Sequence, residues 1–314
     1  MMGLLVNGQW VNQWYNTKKT GGRFERQDSQ FRHSIGQGDF AAEKGRYHLY
    51  VSYACPWAHR VIIMRELKRL KNVISLSSVE PYMGEFGWSF GPDKDPLYKK
   101  NYLSEIYTLS TENYTGRVTV PILWDKQSKK IVNNESSDLM KMLNSSFNEF
   151  ADESIDLYPD ALQNEIDEIN EFIYHNVNNG VYKVGFATAQ SVYNDEVSKL
   201  FYAIDKLERV LSKQRYLVGP AMTIADIRLF TTLIRFDSVY VGHFKCNLRR
   251  LIDYTNLSNY LRDIYQTKTI SNTVRILDIK THYYTSHPTI NPNQIVPMGP
   301  TIDLSASHNR SQLD

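Results

Sequence analysis

Cys55 stands in the run His48-Leu49-Tyr50-Val51-Ser52-Tyr53-Ala54-Cys55-Pro56-Trp57-Ala58-His59-Arg60, where a strand pattern ends, proline follows the thiol and a helix begins. A thiol at that junction meets the positive end of the helix macrodipole and backbone N–H groups with no acceptor inside the helix. Both favour the thiolate, which is the nucleophilic form. Pro56 suits the first helical turn, because the N–H it lacks would have had no helical acceptor anyway. The chemistry implied is thiol–disulfide or thioether exchange. A dithiol oxidoreductase would carry a second cysteine three residues on, but Ala58 stands there, and the other cysteine of the chain is Cys246. A single thiolate can attack, and it then needs another thiol to resolve the mixed intermediate. The expected resolving thiol is external, and glutathione is the abundant one in most cells. The competing reading, an inert buried cysteine, leaves the placement at a strand end and helix start unexplained.

Several elements must hold that thiol. Tyr47, Leu49, Val51 and Tyr53 alternate with His48, Tyr50, Ser52 and Ala54, which is strand spacing. A helix is predicted over 56–70, where Val61, Ile62, Ile63, Met64, Leu67 and Leu70 make it apolar round much of its circumference and so mostly buried. Ile74, Leu76 and Val79 predict a second strand, and strand–helix–strand favours parallel pairing with a right-handed crossover. Residues 81–116 are too long for an idle connection and are expected to hold a functional loop or short helices. Strands are predicted at 118–124 and at Ile131-Val132, around a charged turn, with a helix over 135–147.

From about residue 160 the pattern is helical: Leu162, Ile166, Ile169, Ile173 and Val177, then Val197, Leu200, Phe201, Ile204, Leu207 and Leu211. Thr223 with Asp226 offers an N-cap and an acidic residue three on, close to a capping box, and a helix follows through Phe236. Residues 1–45 read as an irregular N-terminal extension, 287–300 as an extended stretch and 301–314 as a loose polar end. The order predicts an α/β thioredoxin-like domain over 46–150 and an all-α domain over 151–286, with the extension before them and a tail at 287–314.

Composition narrows the partners. The 42% hydrophobic and 22% charged residues are those of an ordinary soluble globular protein, and a net charge of +2 gives no argument for nucleic acid or a membrane surface. Two cysteines make no disulfide framework, the first residues do not read as a signal peptide, and no apolar run approaches the roughly 18 residues of a membrane helix. A cytoplasmic location is therefore expected. Gly36-Gln37-Gly38-Asp39-Phe40-Ala41 matches a dinucleotide fingerprint but precedes a strand instead of following one. His243 and Cys246 are spaced like metal ligands, yet no second pair lies nearby, so no metal is expected. His59, one turn after Cys55, is expected to cap or pack, and Lys126, Lys129 and Lys130 to form a solvated turn.

Further motifs join the cysteine run: Gly87-Trp88-Ser89-Phe90, Gly116-Arg117-Val118-Thr119-Val120-Pro121, Asn134-Glu135-Ser136, Asn178-Asn179-Gly180-Val181-Tyr182-Lys183, Ala225-Asp226-Ile227-Arg228-Leu229, Arg235-Phe236-Asp237 with Val239-Tyr240-Val241, and Ile290-Asn291-Pro292. With them the chain resembles, over nearly its whole length, the glutathionyl-hydroquinone reductases, the Xi class of glutathione transferases. Cys-Pro-Trp-Ala alone would not separate this class from the related omega class. The resemblance implies the glutathione transferase fold, with glutathione as co-substrate and no metal. It implies that Cys55 attacks the sulfur of a glutathione bonded to an aromatic ring, that hydroquinone leaves, and that a second glutathione resolves the mixed disulfide.

The resemblance also implies roles for other residues. Val120, before a proline that is cis in such folds, offers its backbone to the glutathione cysteine; Arg117, Val118, Thr119 and Pro121 belong to the same stretch. Glu135 and Ser136, opening a helix, suit a carboxylate of the γ-glutamyl end; Ser136 alone would also read as a cap. Trp88 matches a glutathione contact. Tyr182 looks like the proton donor to the leaving aromatic carbon, and Tyr240 and Tyr283 resemble residues that hydrogen-bond near the cysteine; a phenol, with a pKa of about 10, stays protonated and can donate. A homodimer is implied as well. Two alternatives stay open: an omega-like thioltransferase or dehydroascorbate reductase, and a non-catalytic binding protein of the same fold.

Overall fold

The computed structural model describes residues 3–267 and 269–313, and it begins with two strands, β1 (Leu4–Val6) and β2 (Gln9–Val11), paired antiparallel. An irregular extension is expected here. The difference lies in Asn7-Gly8, both at positive φ (49° and 75°), the residue pair that closes a two-residue hairpin. The described residues form two units, each assembled from separate stretches: residues 3–14, Gln27–Ile155 and Leu277–Val296 in the first, and Tyr15–Arg26, Asp156–Ile276 and residues 297–313 in the second.

The first unit is built on β3 (Tyr47–Val51), buried at every position. After it come α1 (Pro56–Leu67), β4 (Ser75–Ser78), the short strands β5 (Met83–Gly84) and β6 (Gly87–Trp88), α2 (Leu103–Ser110), β7 (Gly116–Arg117), β8 (Ile122–Asp125), β9 (Lys130–Asn133) and α3 (Ser136–Ser145). A four-stranded sheet has the order β4-β3-β8-β9, with β3 and β4 parallel and the other pairs antiparallel. Leu49 stands opposite Leu76 on one side and Leu123 on the other. The alternate position, His48, is buried too. Its two ring nitrogens each lie 2.8 Å from a serine hydroxyl of β4, Ser75 and Ser77.

α1 ends at Leu67, three residues short of the expected helix, because Arg69 takes left-handed φ (57°) and buried Leu70 starts a separate turn. Between β8 and β9, the Asp125 carboxylate accepts from Gln127 N and Ser128 Oγ and pairs with the Arg46 guanidinium at 2.7 Å. Burial alone would push that carboxyl up, but these hydrogen bonds hold it at about 2. β1 reaches across to pair with β7, and this gives a second, three-stranded sheet, β2-β1-β7.

The second unit is helical: α4 (Gln163–Ile173), α5 (Gly180–Gly185), α6 (Gln190–Leu211), α7 (Ile224–Arg235) and α8 (Thr255–Gln266). α6 buries the expected residues Val197, Leu200, Phe201, Ile204, Leu207 and Leu211. α4 buries Ile166, Asn170 and Ile173, so its inward stripe passes through Asn170, whereas Ile169 is only partly buried. The capping box of α7 forms: Asp226 Oδ2 accepts from Thr223 N (2.8 Å) and Thr223 Oγ1 (3.1 Å), while Oδ1 accepts from Leu217 N (2.9 Å) and Tyr260 Oη (2.7 Å).

The end of the chain is tied down where a loose tail is expected. Arg310 is fully buried and its guanidinium donates to the carbonyls of Leu211, the last residue of α6, and of Gln214 and Arg215 just beyond it. The last helix, α9 (Ile276–Ser286), belongs from Leu277 onward to the first unit. No helix among the described residues is long and apolar enough to cross a membrane.

Candidate active site

Cys55 is the N-cap residue of α1, with extended backbone, and Pro56 takes the first helical position. The Cys55 carbonyl accepts from His59 N at 2.9 Å, so the first helical amides lie beside the partly exposed thiol. Sγ lies 3.6 Å from the carbonyl oxygen of Val120, and the Val120–Pro121 peptide is cis. His59 is buried. Cys246 belongs to the second unit and is fully buried, with its thiol 3.9 Å from the carbonyls of Val181 and Phe244. Burial pushes that thiol well above its usual range, and the nearby Lys245 only partly offsets this.

The stretch at 118–121 is fixed from α2. The buried Tyr107 hydroxyl donates to Thr119 O (2.9 Å) and accepts from Thr119 N (3.1 Å) and from Asn134 Nδ2 (3.1 Å). One phenol therefore binds the irregular stretch before Pro121, where a strand is expected from 118 but β8 begins only at Ile122, to Asn134, one residue ahead of the α3 N-cap. Val118 and Val120 are buried beside it. Arg117 pairs through its main chain with Leu4, and its guanidinium donates to Gln13 O at 2.6 Å.

The N-cap of α3 is Glu135, whose carboxylate accepts from Ser137 N and Ser137 Oγ, both at 3.0 Å, and from Ser29 Oγ at 3.1 Å. Ser136 is not the cap. It is the first helical residue, and its hydroxyl accepts from Arg60 Nη1 at 3.3 Å. Arg60 lies in α1, buried, with its guanidinium 4.4 Å over the Trp57 ring. The start of α3 is thus capped by the Glu135 carboxylate, while the buried Arg60 holds the Ser136 hydroxyl in place.

Trp88 closes the β5–β6 hairpin and is 5% exposed. Its indole stacks on His282 of α9, with centroids 4.8 Å apart and planes inclined by 19°. His282 Nδ1 lies 2.9 Å from Pro81 O, and Ser286 Oγ accepts from Met83 N at 3.0 Å, so α9 holds the start of the hairpin that presents Trp88. Tyr283, the next residue on α9, is buried with its ring 5.2 Å from His282 and 5.8 Å from His287.

Within the second unit the structure brings Tyr182 and Tyr240 together, ring centroids 6.2 Å apart. Each follows or ends a π-helical turn: Tyr174–Asn178 continues α4 towards α5, and Phe236–Tyr240 continues α7. Such turns inside helices often occur at functional sites. Asn178 links the two, since its amide donates to Arg228 O (3.0 Å) and Thr232 Oγ1 (2.7 Å) of α7. Phe244 stacks on Tyr240 at 5.5 Å and fits against α5 because position 185 is glycine; a Cβ there would come within 2.2 Å of the Phe244 ring.

Phe24 and Arg26, from the N-terminal segment, complete the wall around Tyr182. Tyr107, Arg60, His282 and Arg26 carry no signal of their own in the sequence. Their roles arise from contacts outside their own elements, across 12 residues for Tyr107 with Thr119 and across 201 for His282 with Pro81.

The first unit thus holds a partly exposed thiol at a helix start with the Val120 carbonyl beside it, and the second unit, taken by itself, holds a pair of clustered phenols. Residues 54–146 match the description "Glutathione S-transferase, N-terminal domain", and residues 190–263 match "Glutathione S-transferase, C-terminal domain". The chain is 50% identical over 323 residues to the glutathionyl-hydroquinone reductase YqjG of Escherichia coli, covering 98% of each chain. It is also 50% identical over 307 residues to the glutathionyl-hydroquinone reductase PcpF of Sphingobium chlorophenolicum, covering 96% of this chain and 98% of that one. Among solved structures, glutathione-bound YqjG superposes with a TM-score of 0.90 at 47% identity, over 98% of this chain and 99% of that one. A Xi class glutathione transferase from Natrialba magadii reaches a TM-score of 0.95 at 47% identity, over 99% of this chain and 98% of that one.

Proposed function

The chain belongs to the glutathione transferases, in their Xi class of glutathionyl-hydroquinone reductases, and on that premise we propose that it reduces glutathionyl-hydroquinones with glutathione as co-substrate. The observation that carries this reading is Cys55 at the head of α1, 3.6 Å from Val120 O, with Ala58 where a dithiol enzyme has its second cysteine. The Cys55 thiolate attacks the glutathionyl sulfur of the substrate. An S–S bond forms, the sulfur–ring bond breaks, and its electron pair goes to the aromatic carbon, which takes a proton. Tyr182 gives that proton, and Tyr240 and Tyr283 donate hydrogen bonds that favour the thiolate. A second glutathione, as thiolate, attacks the mixed disulfide and releases oxidised glutathione and the Cys55 thiolate. Its thiol proton restores the phenol, so the balance is one glutathionyl-hydroquinone plus one glutathione to one hydroquinone plus one disulfide.

Glutathione lies along Val120, whose N–H and C=O pair with its cysteine residue, with Arg117, Val118, Thr119 and Pro121 in the same stretch. Its γ-glutamyl carboxylate docks at the α3 start beside Glu135 and Ser136, and Trp88 covers it. Such chemistry needs a reducing compartment, which favours the cytoplasm, and the resemblance favours a homodimer. The test is turnover of glutathionyl-menadiol against that of a small mixed disulfide such as glutathionyl-cysteine. Preference for the thioether supports the reading; clear preference for the disulfide points to an omega-like thioltransferase instead.

A further inference from the structure

Arg26 lies in Tyr15–Arg26, a stretch of the N-terminal segment that is part of the helical unit. Its guanidinium carbon sits 5.0 Å from the centroid of the Tyr182 ring and 5.6 Å from that of Phe24. Its Nε donates to Asn179 Oδ1 at 2.8 Å. Asn179 is buried, and its carbonyl accepts from the main-chain N–H of Tyr182 at 3.0 Å. The same residue therefore anchors Arg26 and starts the helical turn that carries Tyr182. Phe24 stacks on Tyr182 with centroids 6.3 Å apart, and Phe186 and Phe244 close the remaining sides at 6.1 and 5.5 Å. A guanidinium against a phenol ring draws on the ring's electron density and favours release of the hydroxyl proton, and a dry aromatic surround strengthens the contact.

We propose that Arg26 is a positioning residue for Tyr182: it fixes the phenol by its ring face and Asn179, and its charge readies the hydroxyl to give up a proton. The inference rests on the reading of Tyr182 as proton donor to the leaving ring carbon. It assigns chemistry to an N-terminal segment in which the Arg23–Glu196 ion pair, at 2.6 Å, is a structural contact. It also predicts that Arg26 serves one half of the reaction. Cleavage of the sulfur–ring bond needs the Tyr182 proton at carbon; resolution of the Cys55 mixed disulfide by a thiolate does not.

The experiment separates the halves by stopped flow under anaerobic conditions. Full-length protein is mixed with stoichiometric glutathionyl-menadiol, menadiol release is followed, and glutathione is then added to follow resolution. R26Q, which keeps a donor for Asn179 but no charge, is expected to slow menadiol release by about 3- to 30-fold, the range of a cation–π contact. It should leave resolution within about twofold of the parent. R26K keeps the cation and is expected to restore release to within about threefold. Y182F is the control for the underlying reading. If Y182F slows release while R26Q does not, Arg26 has no such role. If R26Q slows both halves alike, or R26K is as slow as R26Q, Arg26 only packs and the proposal is overturned. If Y182F itself releases menadiol at the parent rate, the proton-donor reading fails, whatever Arg26 does. Should R26Q not fold, R26M is read in the same way.

Discussion

In the proposed reaction a single thiol, Cys55, decides the chemistry, so its removal is the sharpest test at the residue scale. Cys55→Ser keeps the shape of the N-cap but replaces the thiolate with a poor nucleophile; hydroquinone release is expected to fall by on the order of a thousandfold or more. The unchanged circular dichroism of the variant would show that the fold is intact. Cys246→Ser is expected to leave the rate within about twofold, because that thiol is buried and held protonated. Tyr107 belongs to this scale as well. It touches neither sulfur, yet it holds both Thr119 and Asn134. Tyr107→Phe leaves a buried backbone N–H and a buried amide without their acceptor, and the KM for glutathione is expected to rise by about 3- to 30-fold. Steady-state kinetics against glutathione, with alkylation of Cys55 as a control, would show a change in binding and not in thiol reactivity.

Element by element, the parts set by local chemistry were legible in the sequence and the parts set by distant contacts were not. The β3–Cys55–α1 junction could be read because proline, strand alternation and an apolar helix occur side by side. The α7 start could be read because Thr223 and Asp226 are three apart. That capping box gives a graded prediction. Asp226→Ala removes the acceptor of two backbone N–H groups and of the Tyr260 hydroxyl, all buried, and is expected to destabilise the protein by about 3 kcal/mol or more. Tyr260→Phe removes one of those bonds and is expected to cost about 1 kcal/mol. Urea midpoints of the two variants and the parent would check the ratio. The stripe of α4 was less legible: Asn170 takes a buried place beside Ile166 and Ile173, and a periodicity built from apolar residues cannot see it. The β1–β2 hairpin is hard to read for a different reason: three-residue strands carry too few positions to show alternation, although Asn7-Gly8 marks the turn.

At the scale of the whole molecule, the chain crosses between its units more often than a reading by segments suggests. Residues 3–26 and residues 277–313 are each divided between the two. Aromatic and guanidinium contacts made by these outlying stretches, such as Arg26 on Tyr182 and His282 on Trp88, have no local signature. Each unit also buries a neutral imidazole. Burial, helped by the charges of Lys126 and Arg65, pushes His48 down to about 4, and burial with Lys245 does the same to His243. An unfolded chain takes these protons near pH 6.5. Between pH 6.5 and 4 the unfolded state therefore binds more protons, so stability falls as pH drops through that window and is fully present above it. The loss is expected to be on the order of 3 kcal/mol per imidazole. Denaturant midpoints at pH 7, 5.5 and 4.5 would show it, and His48→Gln should flatten the slope by about half.

Reduction through a glutathionylated Cys55 is tested most directly by one mass measurement. The protein is incubated anaerobically with one equivalent of glutathionyl-menadiol and no other thiol, then weighed intact and mapped by peptide. One glutathionyl adduct on Cys55, matched by one equivalent of released menadiol and lost on adding glutathione, is the expected result. Menadiol released without an adduct on Cys55, or no release at all, would contradict it.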